Sequence, residues 1–339
     1  METRKLQEVG GGTFTVSIPK EWATTHGFEV GMELQLYTHR DGSILVRTSK
    51  ADIDRLNEAT IDVGDGGPGA VSHAVRTAHA VGFETIILRP AGSFSDDERE
   101  AVRSTVRELV GTNVISESAA EITVRHLLDT SSVSVRQSIA QLQYVAVPLL
   151  RDAVETFVGA VDGHARIRER AHEARRSAEM VTRHFSRSLV SHAELDALGV
   201  SRSELFAYYA IAGHLEALTD QAIRIASTGE ELPEPLSEAA AGEVCAAADD
   251  IACAVDDAVT AVLDGDGTKV PEARDRCDAA AEGIEALGGR LYDGAVSDSV
   301  PEAAALSAAL AHLRETVDRG RRVTDAAASA VMRAEKIDD

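Results

Sequence analysis

A glycine-rich segment, GDGGPG, places Gly64, Gly66 and Gly69 in a G-x-G-x-x-G pattern between a predicted strand and a predicted helix. In dinucleotide-binding folds this pattern brings a pyrophosphate close to a helix N-terminus. Here the preceding strand is predicted to be short and carries Asp62, while Asp65 would place a negative charge beside the pyrophosphate. The next predicted strand ends in LRP, without an acidic residue to hold a ribose. We therefore predict a flexible glycine loop and no nucleotide site.

Three cysteines, Cys245, Cys253 and Cys277, lie in alanine-rich sequence with helical character. None belongs to a Cys-x-x-Cys pair and their number is odd, so we expect buried free thiols in a reducing compartment. The sequence also contains no Ser/His/Asp or Cys/His spacing, no Walker loop and no HExxH site. These patterns indicate that the protein is not an enzyme.

The charge is distributed unevenly along the chain. The formal net charge is −22, yet residues 1–50 contain equal numbers of basic and acidic residues, and only five of the 34 basic residues are lysines. An acidic, alanine-rich and lysine-poor surface is typical of a halophilic protein. Because an acidic protein repels nucleic acid, any DNA contact has to come from a local patch. The sequence shows no signal peptide and no long apolar run, so we expect a cytoplasmic protein without membrane insertion.

The chain divides into three predicted parts, which make it mainly α with an N-terminal β domain. Residues 1–50 read as a strand, a short helix and a β-hairpin: Pro19 suits a helix start, Gly27 suits a helix end, and Asp41-Gly42 predicts the hairpin turn. Phe14, Val16, Ile18, Leu34 and Leu36 cannot be buried within so small a module, so we expect it to be completed by a second copy.

Residues 51–130 predict a small α/β linker domain with strands at EATIDV, ETIILRP, TNVIS and EITVRHLL. Ser95 and Glu98 form a capping box at its second helix. Residues 131–339 predict six long amphipathic helices, and Ser201 with Glu204 caps the third. HLEALTDQAIRI and HLRETVDRGRRV align at a constant offset, with His214 on His312 and Asp220 on Asp318, which predicts two three-helix repeats at 131–228 and 236–335.

The N-terminal sequence RKLQEVGGGTFTVSIPKEWATTHGFEVGMELQLYTHRDGSILVR resembles the AbrB/SpoVT (MazE-like) swapped-hairpin family. The resemblance implies an intertwined homodimer that binds DNA. Typical DNA-binding members have arginines where this chain has Thr15, Ala23 and Thr24. The basic residues that remain as DNA-binding candidates are Arg4, Lys5 and Lys20.

The segments LEALTDQAIRIA and EMVTRHFSRSL resemble the third and second helices of PhoU-family regulators of phosphate uptake. The resemblance implies a six-helix bundle in which an E/D-x-x-x-D motif in each repeat lines a metal cluster. Carried over, the metal candidates are Glu216, Asp220 and Asp318, with a divalent ion such as iron or zinc as the possible cofactor. Arg314 replaces the first acid of the second repeat, so the alternative is that these acids are solvated or pair with Arg183 and Arg224.

Two functions follow from these resemblances. The first is a transcriptional regulator of phosphate uptake that binds DNA as a dimer through its N-terminal module. The alternative is a PhoU-like adaptor that regulates a phosphate transporter ATPase or a sensor kinase by protein contact, without binding DNA. A metal store built on the bundle carboxylates is a third hypothesis. The arginine-rich stretches at 166–176 and 319–323 predict ion-pair networks on helix faces, with anion binding as the other possibility.

Overall fold

The computed structural model describes residues 3–38, 42–48, 56–159, 162–232, 234–297 and 299–338. The chain forms two compact units, Met1–Arg55 and Leu56–Asp339. The predicted hairpin residue Asp41 lies outside the described residues. No helix in the described part of the chain is long and apolar enough to cross a membrane.

The described part of the first unit contains two hairpins and one short helix. Strands β1 (Gln7–Val9) and β2 (Thr13–Thr15) pair antiparallel, helix α1 spans Lys20–Thr25, and β3 (Leu34–Thr38) pairs antiparallel with β4 (Ile44–Thr48). The sequence did not predict β1 as a separate strand. Gly10 and Gly11 have positive φ angles of 68° and 72° between the first two strands, which explains how three consecutive glycines reverse the chain there.

The second unit begins with a four-stranded sheet and two helices. Its elements are β5 (Glu58–Gly64), α2 (Gly67–Val81), β6 (Thr85–Pro90), α3 (Asp96–Glu108), β7 (Thr112–Glu117) and β8 (Ile122–His126), with strand order β5-β6-β8-β7. Strands β5 and β6 are parallel, and the other two neighbouring pairs are antiparallel. This α/β part has its own core, which includes Val71, Val75, Leu88 and Val102.

Two features of the α/β part bear on the sequence predictions. The predicted capping box is present: Ser95 Oγ accepts a hydrogen bond from the backbone N–H of Glu98, whose carboxylate accepts from the backbone N–H of Ser95. Strand β5, in contrast, contains seven residues, so the prediction of a short strand before the glycine loop was wrong.

The helical bundle follows. Its helices are α4 (Val135–Val158), α5 (His164–Ser188), α6 (His192–Leu198), α7 (Arg202–Thr228), α8 (Glu238–Asp264), α9 (Val270–Tyr292) and α10 (Val300–Arg333). Six of these are long, and the short α6 was not predicted. Helices α4, α5 and α7 pack together, as do α8, α9 and α10, and the two groups meet through α7 with α10 and α4 with α8.

The third long helix of each half of the bundle begins with a serine cap. Ser201 caps α7 and Ser299 caps α10, and each serine side chain accepts from the backbone N–H of a glutamate three residues later, Glu204 or Glu302. The two caps have the same spacing as the pair His214 and His312 that defined the sequence repeat. The capping therefore extends the internal similarity beyond the segment in which the sequence first showed it.

The cysteines are free thiols within this bundle. Cys277 is buried, whereas Cys245 and Cys253 are half-buried. Burial raises the pKa of Cys277 to about 11, which keeps this thiol protonated at neutral pH.

Candidate nucleic-acid interface and buried charge clusters

The three basic DNA-binding candidates lie at one end of the first hairpin. Arg4 and Lys5 precede β1, and Lys20 is the first residue of α1, shortly after β2. Because β1 and β2 run antiparallel, the segment before β1 and the segment after β2 leave the hairpin at the end opposite its glycine turn. All three side chains are exposed. The segments that carry these residues therefore leave the hairpin at the same end.

The same unit leaves several large apolar side chains exposed, although the predicted Leu34 is half-buried. Phe14 is 67% exposed and Leu36 is 66% exposed, and Val16, Ile18 and Trp22 are also exposed. None of the described residues of this unit is buried. Two hairpins without a core are at most marginally stable in water. The unit thus lacks the apolar burial that a second copy of the chain would supply.

At the three positions where arginines are typical of the DNA-binding members, the side chains contact their own backbone or are small. Thr15 Oγ1 donates to the carbonyl of Gln7, and Thr24 Oγ1 donates to the carbonyl of Lys20. Ala23 is half-buried within α1. None of these side chains carries a positive charge toward solvent.

The predicted metal residues of the first repeat contact an arginine. Arg175 Nε on α5 lies 3.2 Å from Glu216 Oε1, and Arg175 Nη2 lies 3.0 Å from Asp220 Oδ1. The partner of these acids is therefore Arg175; the suggestion that Arg183 pairs with them was wrong, because Arg183 binds backbone carbonyls elsewhere. Partial burial raises the pKa of Glu216, while Arg175 acts in the opposite direction.

The third metal candidate, Asp318 on α10, lies 3.7 Å from Arg321. Among the described residues, no group of three or more histidines, cysteines, aspartates and glutamates has an arrangement that could hold a metal ion. The histidines of the repeat have lowered pKa values, His214 through burial and then the nearby Arg319 and Arg322, and His312 through burial and then Arg224. His312 Nδ1 lies 3.0 Å from Gln221 Oε1. A metal at these residues remains a prediction.

The arginine-rich segments form ion pairs with acids on neighbouring helices. Arg170 lies 2.6 Å from Asp152, and Arg321 lies 2.6 Å from Asp278. These contacts are of the kind predicted for helix-face charge networks.

A buried charge cluster that the sequence did not predict lies where the bundle meets the α/β part. His184 Nδ1 is 2.6 Å from Glu194 Oε1, and Arg187 Nε donates to Glu194 Oε2 at 2.9 Å. Thr130 Oγ1 lies 3.3 Å from the same carboxylate oxygen as Arg187. Burial acts to raise the pKa of Glu194, but the hydrogen bonds and charges of His184 and Arg187 outweigh it and lower that pKa.

Two arginines of α5 bind the C-terminal end of α2. Arg183 Nη1 donates to the carbonyl of His79 at 2.8 Å and its Nη2 to that of Phe83 at 3.1 Å, while Arg187 Nη1 donates to the carbonyl of Gly82 at 2.7 Å. Cations are favourable at a helix C-terminus because they satisfy its last carbonyls and oppose its dipole. Arg183 and Arg187 therefore attach the α/β part to the bundle, together with the ion pair between Arg76 and Glu179 at 2.9 Å.

Two histidines of the α/β part lie beside these arginines. The rings of His79 on α2 and His126 on β8 are 5.7 Å apart, edge to face. The pKa of each is lowered to about 3, first by burial and next by the charge of Arg183. Both are neutral at neutral pH. No local sequence pattern predicts this cluster, because its members are distant in sequence. Each of them has the sequence context of an ordinary polar helix face or strand end.

Residues 7–54 match the model of a family described as antidote-toxin recognition MazE, bacterial antitoxin. The match falls within the first unit and confirms the MazE-like resemblance of that unit. It covers only a small part of the 339 residues. No curated protein matches the chain.

Proposed function

We propose that this protein is a dimeric DNA-binding regulator whose helical bundle senses or transmits the phosphate status of the cell. The match of residues 7–54 to the MazE family carries the proposal, since AbrB- and MazE-like modules act as intertwined dimers on DNA. In this proposal the protein is cytoplasmic, adapted to concentrated salt, and has no catalytic role.

The physical state of the first unit supports a dimer. Its apolar side chains are exposed in a single chain, and burying a side chain of the size of Phe14 or Leu36 contributes about 1.5–3 kcal/mol. A swapped pair of hairpins would cover these side chains and would double the number of Arg4, Lys5 and Lys20 side chains available to a phosphate backbone. Twofold symmetry also suits two half-sites on DNA.

The regulatory part of the proposal concerns the bundle. Six long helices in two similarly capped groups are compatible with the resemblance to PhoU proteins. In this proposal the bundle receives the phosphate signal and the first unit delivers it to promoter DNA. Glu216, Asp220 and Asp318 remain the candidates for a bound divalent metal.

A protein adaptor is the second candidate, and an aromatic patch on the bundle favours it. Phe185 stacks on Tyr209 with ring centroids 4.1 Å apart, and the exposed Phe206 lies 6.3 Å from Phe185. Aromatic side chains are enriched in protein interfaces. A phosphate transporter ATPase or a sensor kinase would be the partner in that case.

Recovery of bound DNA from phosphate-rich and phosphate-starved cells distinguishes the two. The regulator should enrich discrete promoter regions, and their occupancy should change with phosphate supply. An adaptor should enrich no promoter and should instead recover a transporter or kinase subunit. The regulator hypothesis is contradicted if the full chain recovers the same DNA as a chain lacking residues 1–55.

A further inference from the structure

A cavity of about 270 Å³ opens between the α/β part and the bundle. Its lining comes from both sides: the neutral His126 belongs to β8, and Arg183, His184 and Arg187 belong to α5. Glu84 and Asp129 also line it, and both are exposed. The cavity is therefore basic on its inner side and acidic toward solvent.

Two of these side chains are buried with an unused nitrogen. Arg183 and His184 are each 1% exposed, yet Arg183 Nε and His184 Nε2 have no hydrogen-bond partner within the described residues. A buried polar group without a partner is destabilising, because it has lost its hydrogen bonds to water. His79 Nε2, next to His126, is also buried without a partner among the residues described. Arg183 and His184 both line the cavity, so a ligand there would lie next to hydrogen-bonding capacity that the protein leaves unused.

The charges show which sign that ligand carries. Arg187 is balanced by Glu194 and Glu84. Arg183 makes no ion pair with any described residue; it binds the carbonyls of His79 and Phe83, and the carboxylates of Glu194 and Glu84 attract it only from beyond ion-pair distance. A buried guanidinium without a directly paired carboxylate is costly. An anion in the cavity would supply a closer counter-charge.

We propose that this cavity binds a small oxyanion of the phosphate type, either inorganic phosphate or a phosphate monoester. Its oxygens would accept from the guanidinium of Arg183 and from an imidazole N–H of His126. Both His126 and Arg183 would contact it, one on each side of the interface. Binding would therefore stabilise the attachment of the α/β part to the bundle. In molar salt the acidic rim is screened over a few ångströms, so it opposes anion entry only weakly.

This inference rests on the proposed function, because the cavity would be the effector site of the proposed regulator. The experiment contains no DNA, so its failure is distinguishable from a failure of DNA binding. Titration calorimetry of the full chain is performed at constant high ionic strength with inorganic phosphate, glycerol phosphate and sulfate as separate probes. We expect one phosphate or phosphate-monoester ion per chain, with the stronger probe identifying the source.

Two variants test the site independently. Arg183→Met removes the buried charge at similar length, and His126→Leu removes the donor on the opposite wall; each should weaken binding at least tenfold. Arg136→Gln, which removes an arginine that contacts Asp264 in another part of the bundle, should bind as the wild type does. If circular dichroism shows that Arg183→Met does not fold, the affinity of His126→Leu for phosphate is the test of the site. Absence of phosphate and monoester binding at millimolar concentration, equal binding of sulfate, or unchanged affinity in a folded site variant would overturn the proposal.

Discussion

His184 and Glu194 form a buried pair, with 2.6 Å between Nδ1 and Oε1 and with side chains only 2% and 3% exposed. Arg187 approaches the other carboxylate oxygen. Removing one member of such a group leaves the others buried without their counter-charge, which costs more than the pair itself contributes. The cluster therefore contributes to the stability of the second unit.

Glu194→Gln should destabilise the protein by about 3 kcal/mol, because Arg187 would then lack its buried counter-charge. Denaturant unfolding at neutral pH measures this loss. The matched control is Asp249→Asn, which breaks the more exposed pair with Arg151 and should cost under about 1 kcal/mol. Equal effects of the two substitutions would show that burial of the Glu194 cluster adds nothing.

Acid should destabilise the second unit through His79. Its pKa is about 3 in the folded protein and near 6.5 when unfolded. Between these values the unfolded chain binds the proton and the folded chain does not, so stability is complete above pH 6.5 and falls as the pH decreases. A fully shifted histidine contributes a slope of about 1.4 kcal/mol per pH unit.

Unfolding free energies of the wild type and His79→Asn between pH 6.5 and 4.5 test this assignment. In His79→Asn, the slope of the unfolding free energy against pH should decrease by up to about 1.4 kcal/mol per pH unit. The control is His73→Asn, which replaces an exposed histidine on the same helix and should leave the slope unchanged. His126, whose pKa is also lowered to about 3, contributes a comparable slope that should survive in His79→Asn, and Glu194 acts in the same direction at lower pH. A wild-type slope that is undiminished in His79→Asn contradicts the assignment.

The helices and most strands of the second unit were predictable, because local signals determine them. The serine–glutamate caps at Ser95 and Ser201 act within one helical turn, and both formed as predicted. Strand β1 was missed because it has three residues before a glycine turn, too few for an alternating pattern. Short α6 lies in a segment that was interpreted as a break.

The site residues were harder to predict, because their roles depend on tertiary packing. Arg183 lies in a segment rich in charged and polar residues, and nothing local shows that it binds a carbonyl more than a hundred residues away in sequence. For the same reason, sequence reasoning assigned the wrong arginine to Glu216 and Asp220. Helix periodicity shows which face a residue occupies, but it does not show which neighbour that face meets.

A metal at Glu216 and Asp220 would have to displace Arg175 from their carboxylates, so removal of Arg175 should strengthen metal binding. We expect Arg175→Gln to bind Mn²⁺ at least several-fold more tightly than the wild type, measured by calorimetry in chelator-treated protein. The control Arg170→Gln, which removes a neighbouring arginine paired with Asp152, should have no effect. Stoichiometric iron or zinc in the purified wild type would instead show that the ion displaces Arg175.

Removal of residues 1–55 should convert a dimer into a monomer, because the exposed Phe14, Val16 and Leu36 would be lost. Light scattering after size exclusion measures the mass. Phe14→Asp in the full chain tests the same surface without truncation, and Tyr292→Asp, which charges an exposed aromatic of the bundle, serves as its control. A dimer that persists after truncation would place the interface in the second unit.

We expect the N-terminal unit to bind promoter DNA through Arg4, Lys5 and Lys20. Gel shifts in concentrated KCl test it with the triple alanine variant. A matched control replaces Arg107, Arg166 and Lys269, three exposed basic side chains of the second unit, so that the net charge changes equally. Each lost phosphate contact should also reduce the salt slope of log K by about 0.9.

We predict that the Arg4, Lys5 and Lys20 variant remains a folded dimer and loses promoter binding, while the control triple binds as the wild type does. If the N-terminal variant binds the promoter as tightly as the wild type does, these residues do not carry DNA binding, and the result would favour the adaptor.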